Sequence, residues 1–398
     1  MYDKTFFVQV DEAKCQECGT CEQFCGTKAV RKTDSGKRRI VDPAVCVNCG
    51  QCLVHCPFGA IGEEVSYIKE LAAALKDPDR ICVAMVAPAV RYALGEPFGS
   101  LPGECVEGRM WAALRRLGFE YVWDNQFTAD LTILEEGSEL LARVTGAMKR
   151  PLPQFTSCCP GWVKFVETFY PDLLQNLSSC KSPIGMLGAL AKTYGAQKTG
   201  RDPNKIYTVS IMPCIAKKFE GLRPEMNDSG FRDIDATINT RELAYMIKQA
   251  GISFNDLPDE EPHPVLGDST GAATIFAASG GVMEAALRFA YEEVTRAHLV
   301  NVDFHPVRGE KGIKAAAVNL AGLEVKVCVV SGLDNARKVM DEVSAGKSPY
   351  HFIEVMTCPT GCVNGGGQPL EPGTRFADAP FLRKLCIRLG IPSSPRRA

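Results

Sequence analysis

From about residue 66 onward, segments in which apolar residues form continuous runs alternate with segments in which they recur at helical spacing. Continuous apolar runs of strand length lie at 81–90, 121–123, 206–213 and 325–332, as expected for strands buried in a parallel sheet. The segments with helical spacing of apolar residues are 66–80, 109–117, 131–144, 241–250, 280–294 and 336–345. Strands that alternate with helices predict an α/β core with parallel sheets, whose ligands would lie at the carboxyl ends of the strands.

The first 65 residues lack this alternation and carry a repeated cysteine pattern. Each copy reads C-x2-C-x2-C-x3-C, and short strands such as Phe6 to Val10 are predicted to flank it. In this spacing, typical of bacterial ferredoxins, three cysteines hold one four-iron four-sulfur cubane and the fourth crosses to the other. The predicted ligands are Cys15, Cys18, Cys21 and Cys56 for one cluster, and Cys46, Cys49, Cys52 and Cys25 for the second.

Zinc is the alternative metal for these thiols. It suits C-x2-C pairs separated by a longer gap, whereas here four thiols fall within eleven residues, and they do so twice. The pattern therefore favours two cubanes in a small, pseudo-symmetric domain.

Composition and charge exclude several classes of function. The 398 residues are 45% apolar and 23% charged, which is ordinary for a globular chain of two or three domains. A net charge of −2 predicts no nucleic-acid partner, and the lack of an 18-residue apolar run predicts no membrane span. The start of the chain lacks an apolar core followed by a cleavage site, so we expect no export signal of its own. Eighteen cysteines, many clustered at spacings of two and three, indicate metal sites rather than disulfides.

Three further motifs carry cysteines into the α/β region. They are TSCCPGW at 156–162, MPCIAKKFE at 212–220 directly after a predicted strand, and 351–369, which contains CPTGCVNGGG. Thiolates favour iron, zinc or copper(I), and the glycine run 365–367 predicts a backbone folded tightly around a bulky group. Each motif alone is weak because buried cysteines are common and usually inert. Together they indicate one site.

The remaining cysteines have no partner at a ligand spacing. Buried cysteine usually behaves as a small apolar residue. We therefore predict buried, inert positions for Cys82, Cys105, Cys180, Cys328 and Cys386.

The three motifs, in this order behind a two-cluster ferredoxin-like domain, closely resemble the iron-only (FeFe) hydrogenases over about residues 5–370. The stretches APAVRYALG, KSPIGM and KKFEGLRPE look most like the large catalytic subunit of the two-subunit enzymes of sulfate-reducing bacteria. The resemblance implies an α+β ferredoxin-like domain at 1–65 and a connecting helix at 66–80. An α/β H-cluster domain with parallel sheets in two lobes would follow at 81–370, and a C-terminal tail at 371–398.

The resemblance also implies an H-cluster, which is a cubane joined through one cysteine sulfur to a two-iron unit with carbon monoxide, cyanide and an azadithiolate. Carried over motif by motif, the cubane ligands are Cys159, Cys214, Cys358 and Cys362, and Cys362 is the bridging thiolate. The other implied contacts are Lys217 with a cyanide, Ala87, Pro88 and Ser182 with the dithiolate and the other cyanide, and Met212 and Met356 beside the cofactor. Without the motifs, the methionines would be ordinary core residues.

Cys158 is not needed as a ligand because Cys159 already serves as one, and the resemblance implies that its free thiol passes a proton between the cofactor and the protein. The resemblance implies a relay from Cys158 through Glu139 and Ser178, then through Glu136 and Arg143 toward solvent, with a water completing it. Glu136, Glu139 and Arg143 are three and four residues apart on one predicted helix, so they can line one path. On spacing alone they would be a solvated helix face with an ion pair. A buried carboxyl with a raised pKa would suit proton transfer near neutral pH.

The activity implied by the resemblance is reversible oxidation of H2 to protons and electrons. Electrons would pass through the two clusters to an external carrier such as ferredoxin or a c-type cytochrome. Single-chain relatives continue well past the glycine run, so we expect a separate small subunit that brings the export signal. We also expect maturation proteins and a periplasmic location, with a cytoplasmic one as the alternative.

Two other functions share these motifs. One is an iron–sulfur assembly factor resembling the eukaryotic hydrogenase-like proteins, which lack the two-iron unit. The other is a redox or hydrogen sensor, usually marked by an added sensory domain. Cys158, Lys217, Met212 and Met356 argue against the first, and no sensory domain is visible in support of the second.

Overall fold

The computed structural model describes residues 7–33, 38–40, 42–63, 65–264, 266–297, 312–320 and 322–369. The predicted tail at 371–398, with Cys386, lies outside the described residues, as does Phe6. Within the described part of the chain, no helix is long and apolar enough to cross a membrane.

The N-terminal part, residues 7–63, consists of short elements around the cysteine repeats. Two antiparallel pairs, β1 with β4 and β2 with β3, flank two one-turn helices. The elements in chain order are β1 Val8–Val10, α1 Thr20–Gln23, β2 Val30–Lys32, β3 Arg38–Ile40, α2 Gln51–Val54 and β4 Ile61–Glu63. A single connecting helix, α3 (Ile68–Ala74), follows within the predicted segment 66–80.

The first sheet of the α/β part is fully parallel. Its elements and the adjacent helices are β5 Ile81–Val86, α4 Glu107–Leu117, β6 Tyr121–Asp124, α5 Gln126–Val144, β7 Gln154–Phe155, α6 Pro160–Phe169, α7 Pro183–Leu190, α8 Ala196–Thr199, β8 Ile206–Met212, α9 Ala216–Gly221, β9 Ala236–Asn239 and α10 Thr240–Gln249. Strands β6, β5, β8 and β9 are neighbours in that order, whereas β7 belongs to the second sheet. Every residue of β5 is buried, which explains the continuous apolar run there.

The second sheet has the order β10-β11-β12-β7 and is mixed. Its remaining elements are α11 Gly271–Thr274, α12 Gly281–Thr295, β10 Ile313–Leu320, β11 Leu323–Ser331, α13 Leu333–Ser344 and β12 Phe352–Met356. Strands β11, β12 and β7 are parallel, and β10 pairs antiparallel with β11. The two parallel-containing sheets confirm the predicted fold class, and the antiparallel hairpin at the edge of the second sheet is an addition to it.

Among the predicted boundaries that differ from the structure, two have a physical reason in the sequence. The apolar run at 81–90 is a strand only to Val86, because Pro88 begins a 3-10 helix and cannot donate to a sheet. Helix α5 begins at Gln126, five residues before the predicted start, because buried polar residues such as Thr128 hide its first turn from an apolar pattern.

A buried ion cluster joins the N-terminal part to the α/β part. The Lys218 ammonium, which is fully buried on α9, donates to Glu63 (2.8 Å), to the Val65 carbonyl (2.7 Å) and to Glu242. Arg241 also pairs with Glu63. Because each charge has a buried partner, the two parts share a compensated polar contact in addition to apolar packing.

Candidate metal centres and active site

The cysteine motifs of the α/β part lie at the carboxyl ends of strands, as predicted. The pairs of strand and motif are β5 with Ala87 and Pro88, β7 with Cys158 and Cys159, β8 with Cys214, and β12 with Cys358. Strands β5 and β8 belong to the first sheet, whereas β7 and β12 belong to the second. The motifs therefore meet at the junction of the two sheets, where ligands of α/β folds bind.

The four predicted cubane ligands come together at this junction. Burial, and next the charge of Cys159, raises the pKa of the Cys214 thiol to about 12. Burial, Cys159 and Cys214 raise the pKa of Cys362 to about 12. The pKa of Cys358 also lies well above its ordinary value, because its thiol is buried and has other cysteines nearby. Buried thiols resist ionisation alone but ionise when a metal supplies positive charge, so this donor set fits an iron–sulfur cluster.

The glycine run contacts protein backbone rather than wrapping an open space. A Cβ on Gly365 would lie 2.1 Å from the Pro213 carbonyl oxygen, and one on Gly367 would lie 2.8 Å from the Cys214 nitrogen. A Cβ on Gly366 would lie 2.3 Å from the Cys49 carbonyl oxygen on the opposite side. These glycines thus bring three cysteine-bearing loops into direct contact, and the expectation that the run also folds around a bulky group stays a prediction.

Lys217 lies at the edge of the four-cysteine site. Its ammonium donates to Ser182 Oγ (2.8 Å), to Glu220 (2.7 Å) and to the Cys158 carbonyl (3.1 Å). Burial would lower the pKa of Lys217, but Glu220 outweighs burial and holds the pKa above its ordinary value. Ser182 Oγ also accepts from the Gly185 N–H at the start of α7, so its own proton remains to donate.

The other predicted contacts divide between the site and the core behind it. Met356 packs in one apolar cluster with Cys158, Cys159 and Cys362. The 3-10 helix that begins at Pro88 reaches Cys362 through its residues Ala89 and Tyr92. Met212 is buried in the core of the first sheet, at the end of β8.

Two cavities in the N-terminal part are lined by the two predicted ligand sets. The first has an empty volume of about 330 Å³ and the second about 350 Å³. The thiols that line them are Cys15, Cys18, Cys21 and Cys56 in the first, and Cys25, Cys46, Cys49 and Cys52 in the second. Each cavity takes its fourth thiol from the other repeat, which is the crossing that ferredoxin-type clusters require.

The thiols surround these cavities rather than a point. Among the described residues, no three His, Cys, Asp or Glu side chains come close enough together to bind a single metal ion. A zinc ion needs four ligands at about 2.0–2.3 Å, whereas a cubane fills the space between more distant thiols. The arrangement thus fits clusters.

Glu136 lies next to Cys158. Its charge is the second cause, after burial, of the strongly raised pKa of the Cys158 thiol. The Ser157 N–H donates to Glu136 Oε1 (3.2 Å) and the Ser157 hydroxyl lies 3.3 Å from the same oxygen, whereas Oε2 is buried with no hydrogen-bond partner among the described residues. Burial raises the pKa of Glu136 to about 7.

Glu139 lies farther from Cys158, beside Arg143. Ser178 Oγ donates to Glu139 Oε2 (2.8 Å), and Arg143 donates to Oε1. Burial would raise the pKa of Glu139, but the hydrogen bonds from Arg143 and Ser179 outweigh it, so the pKa is lowered. Arg150, which is partly exposed, also reaches Oε1 (3.2 Å) and connects this end to the surface.

The two glutamates therefore stand in the reverse of the predicted order. We expected Glu139 near Cys158 and Glu136 toward Arg143, but the structure places Glu136 inside and Glu139 outside, with Ser178 between them. The reading as a solvated helix face is also wrong, because Glu136, Glu139 and Arg143 are all buried. The spacing of Glu136 and Glu139 places both on one face of α5, but it does not show which of them lies beside the loop after β7.

Several contacts at the site were not predicted. Ser157 was detectable as the residue before Cys158, and Glu220 as the residue three after Lys217. Cys82 and Cys328 are buried as predicted, but Cys105 is exposed and Cys180 is only partly buried. Cys180 adjoins the relay, since Ser157 Oγ donates to its carbonyl (2.7 Å).

Comparisons with known proteins agree with this geometry. Residues 80–366 match the family described as "iron only hydrogenase large subunit, C-terminal domain", and residues 14–60 match a 4Fe-4S dicluster domain. The periplasmic Fe hydrogenase large subunit of Nitratidesulfovibrio vulgaris is 60% identical over 371 residues, covering 93% of this chain and 88% of that protein.

The chain belongs to the iron-only hydrogenase family. It is a hydrogenase large subunit with a ferredoxin-like 4Fe-4S domain and a hydrogen-activating α/β domain. A variant of the FeFe-hydrogenase HydA1 from Chlamydomonas reinhardtii has a similar structure, with a TM-score of 0.74 and 38% identity over 84% of this chain and 91% of that chain. The cytosolic iron-sulfur assembly component 3 of Pongo abelii is 31% identical over 304 residues, covering 74% of this hydrogenase and 63% of that protein.

Proposed function

We propose that this hydrogenase oxidises H2 reversibly to protons and electrons at an H-cluster held by Cys159, Cys214, Cys358 and Cys362. The convergence of these four thiols with Cys158 and Lys217 at the junction of the two sheets carries the proposal. When bound, the H-cluster supplies the iron that activates hydrogen and a base beside it. The rest of the chemistry falls to the side chains around it.

Cys158 moves protons to and from the cofactor. Burial, and next the charge of Glu136, raises the pKa of its thiol, so the thiol rests in the protonated form from which it can donate. Glu136 follows, because it is buried, has a pKa near neutrality and carries an Oε2 that no other described residue hydrogen-bonds. A water at Oε2 would bridge it to Cys158.

The outer half of the relay is Ser178, Glu139 and Arg143. The Ser178 hydroxyl can donate to one carboxylate while it accepts from the other, so it joins Glu136 to Glu139. Arg143 keeps Glu139 ionised and therefore ready to receive a proton. Arg143 is itself fixed by the carbonyls of Pro151, Gln175, Asn176 and Leu177.

Lys217 and Ser182 orient the cofactor. All three Lys217 N–H groups already have partners, so Lys217 can donate to an anionic cyanide only by releasing one of them. Ser182 can donate its own proton without such an exchange. Ala87, Pro88, Met212 and Met356 complete the apolar surroundings.

Electrons leave through the two clusters of the N-terminal domain. The proposed ligands are Cys15, Cys18, Cys21 and Cys56 for the outer cluster and Cys25, Cys46, Cys49 and Cys52 for the inner one. The external carrier would be a ferredoxin or a c-type cytochrome. We propose domains at 1–65 and 81–370, joined by the segment 66–80 and followed by a tail at 371–398.

The relative at 60% identity is named a periplasmic large subunit, which supports two further proposals. The enzyme is periplasmic, and it pairs with a separate small subunit that brings the export signal. Maturation proteins would supply the two-iron unit.

Infrared spectroscopy of the matured enzyme tests the proposal. We expect intrinsic carbonyl and cyanide bands, which an assembly factor without the two-iron unit would lack. Cys158→Ala should keep these bands and lose about a hundredfold or more of turnover, the usual contribution of a positioned proton donor. Cys328→Ala, at a buried thiol that is neither a proposed ligand nor a member of the relay, is the control. Missing bands would reject the H-cluster, and full turnover in Cys158→Ala would reject the relay.

A further inference from the structure

The closest contact between the ferredoxin-like domain and the glycine run is made by backbone alone. A Cβ on Gly366 would lie 2.3 Å from the Cys49 carbonyl oxygen and 2.7 Å from the Gly50 Cα. A Cβ on Gly50 would lie 2.9 Å from the Gly366 Cα and 2.6 Å from Ile215 Cδ1, and Gly50 has a φ of +71° that favours glycine. Neither side of this contact has room for a side chain.

One buried hydrogen bond fixes the same contact. Gln51 Nε2 donates to the Asn364 carbonyl at 2.8 Å, and Gln51 is 3% exposed. Gln51 adjoins Cys52 of the inner cavity, and Asn364 lies two residues beyond Cys362. The bond therefore links the loop that bears one set of thiols to the loop that bears the other.

The contact lies between the two sets of thiols. Cys49 lines the inner cavity and its carbonyl oxygen meets Gly366, while a Cβ on the next residue, Gly367, would lie 2.8 Å from the nitrogen of the predicted ligand Cys214. Electron transfer between buried centres falls off exponentially with their separation. A contact that sets this separation therefore sets the rate at which electrons leave the active site.

We propose that the Gly50–Gly366 backbone contact, fixed by the Gln51–Asn364 hydrogen bond, is the positioning element for electron transfer between the inner cluster and the catalytic cysteines. The inference rests on the proposed hydrogenase function and deepens it. Gly50, Gln51 and Gly366 touch neither hydrogen nor the relay, so they act by holding two cysteine loops together.

Two variants separate the loops by different means. Gly366→Ala inserts a Cβ where the nearest atom is 2.3 Å away, so the loops must move apart. Gln51→Leu removes the hydrogen bond and keeps a buried side chain of similar size. Gly62→Ala is the matched control, because it lies in the same domain and no atom of the described residues lies within 4 Å of the new Cβ.

Two assays on the matured enzyme distinguish electron transfer from hydrogen cleavage. Exchange of H2 with D2O needs cleavage and proton movement but no export of electrons, whereas H2 oxidation with a c-type cytochrome needs all three. We expect both variants to lose oxidation severalfold while exchange stays at the wild-type rate, and Gly62→Ala to change neither. A second readout uses protein made without maturation, which holds cubanes only. There, magnetic broadening between the reduced inner cluster and the catalytic cubane should weaken in both variants.

Each other result has a definite meaning. Wild-type oxidation and broadening in both variants would overturn the positioning role, and so would equal losses of exchange and oxidation, which indicate a damaged active site. If the wild-type enzyme itself lacked exchange, the proposed function would fail instead. Gln51→Leu keeps the test decisive if Gly366→Ala does not fold.

Discussion

The ferredoxin-like domain and the α/β domain are stabilised by different means. The first has strands of three residues and helices of four, and its apolar core borrows Ile215 and Phe219 from the other domain. The second has a helix of 19 residues, a strand of nine and large cores of its own. A domain with so little apolar core needs another source of stability, and thiol-lined cavities at its centre indicate that iron supplies it.

Removal of iron should produce the largest difference in stability between the two domains. After anaerobic chelation, we expect amide protons in 7–33 and 42–63 to exchange rapidly, because the small apolar core is not sufficient by itself to hold these short elements. Amides of β5 and β8 should stay protected, because both strands are central in a buried sheet. Hydrogen exchange with mass spectrometry measures both. Equal loss of protection in the two domains would mean that iron stabilises the α/β domain as well, and reconstitution with iron and sulfide is the control.

The junction between the domains should be the next most sensitive place. Lys218→Met leaves Glu63 and Glu242 buried with less positive charge, and removal of one partner from a buried ion cluster costs about 3–5 kcal/mol. We expect a lower melting temperature and faster proteolysis in the segment 66–80. Lys205→Met, which removes an exposed pair with Asp79, should cost less than about 1 kcal/mol. Similar losses in the two variants would show that the Lys218 cluster does not join the domains.

A smaller, pH-dependent effect should appear inside the α/β domain. Burial raises the folded pKa of Glu136 to about 7 from an ordinary value of 4.5. Between these values the folded state holds a proton that the unfolded state has lost, so stability falls as pH rises through this window. Glu136→Gln should therefore match wild type at pH 4.5 and be more stable at pH 8, by on the order of 2–3 kcal/mol.

Melting curves across this pH range measure the effect. The exposed neighbour Glu135 offers the matched control, since Glu135→Gln should leave the pH dependence unchanged. If the melting temperature of Glu136→Gln equalled that of wild type at every pH, burial of the ionised carboxylate would not destabilise the fold. The α/β domain would then keep this polar group without a cost in stability.

Local patterns predicted more of the ferredoxin-like domain than of the catalytic site. Cys15, Cys18 and Cys21 lie within seven residues, so their spacing alone places them around one cavity. The helices and strands of the α/β domain were likewise readable where apolar residues repeat, as in α4 and β8. Such signals depend only on neighbours along the chain.

Contacts between distant segments were beyond such patterns. The order of Glu136 and Glu139 depends on where the loop after β7 crosses α5, and the Gln51–Asn364 bond spans 313 residues. The glycine run shows the same limit, because its composition indicates close approach but not by what. Family resemblance supplied the identity of Glu136 and Glu139, and the structure supplied their arrangement and the Gln51–Asn364 bond.

The exchange of thiols between the two repeats also bears on damage and repair. Cys56 lines the outer cavity and Cys25 the inner one, so each repeat closes the other's cluster. An oxidant that destroys the outer cluster releases Cys56, which follows directly on the helix that bears Cys52 of the inner one. With the proposed ligands, the loss of one cluster would thus loosen the support of its neighbour, and repair would have to rebuild both.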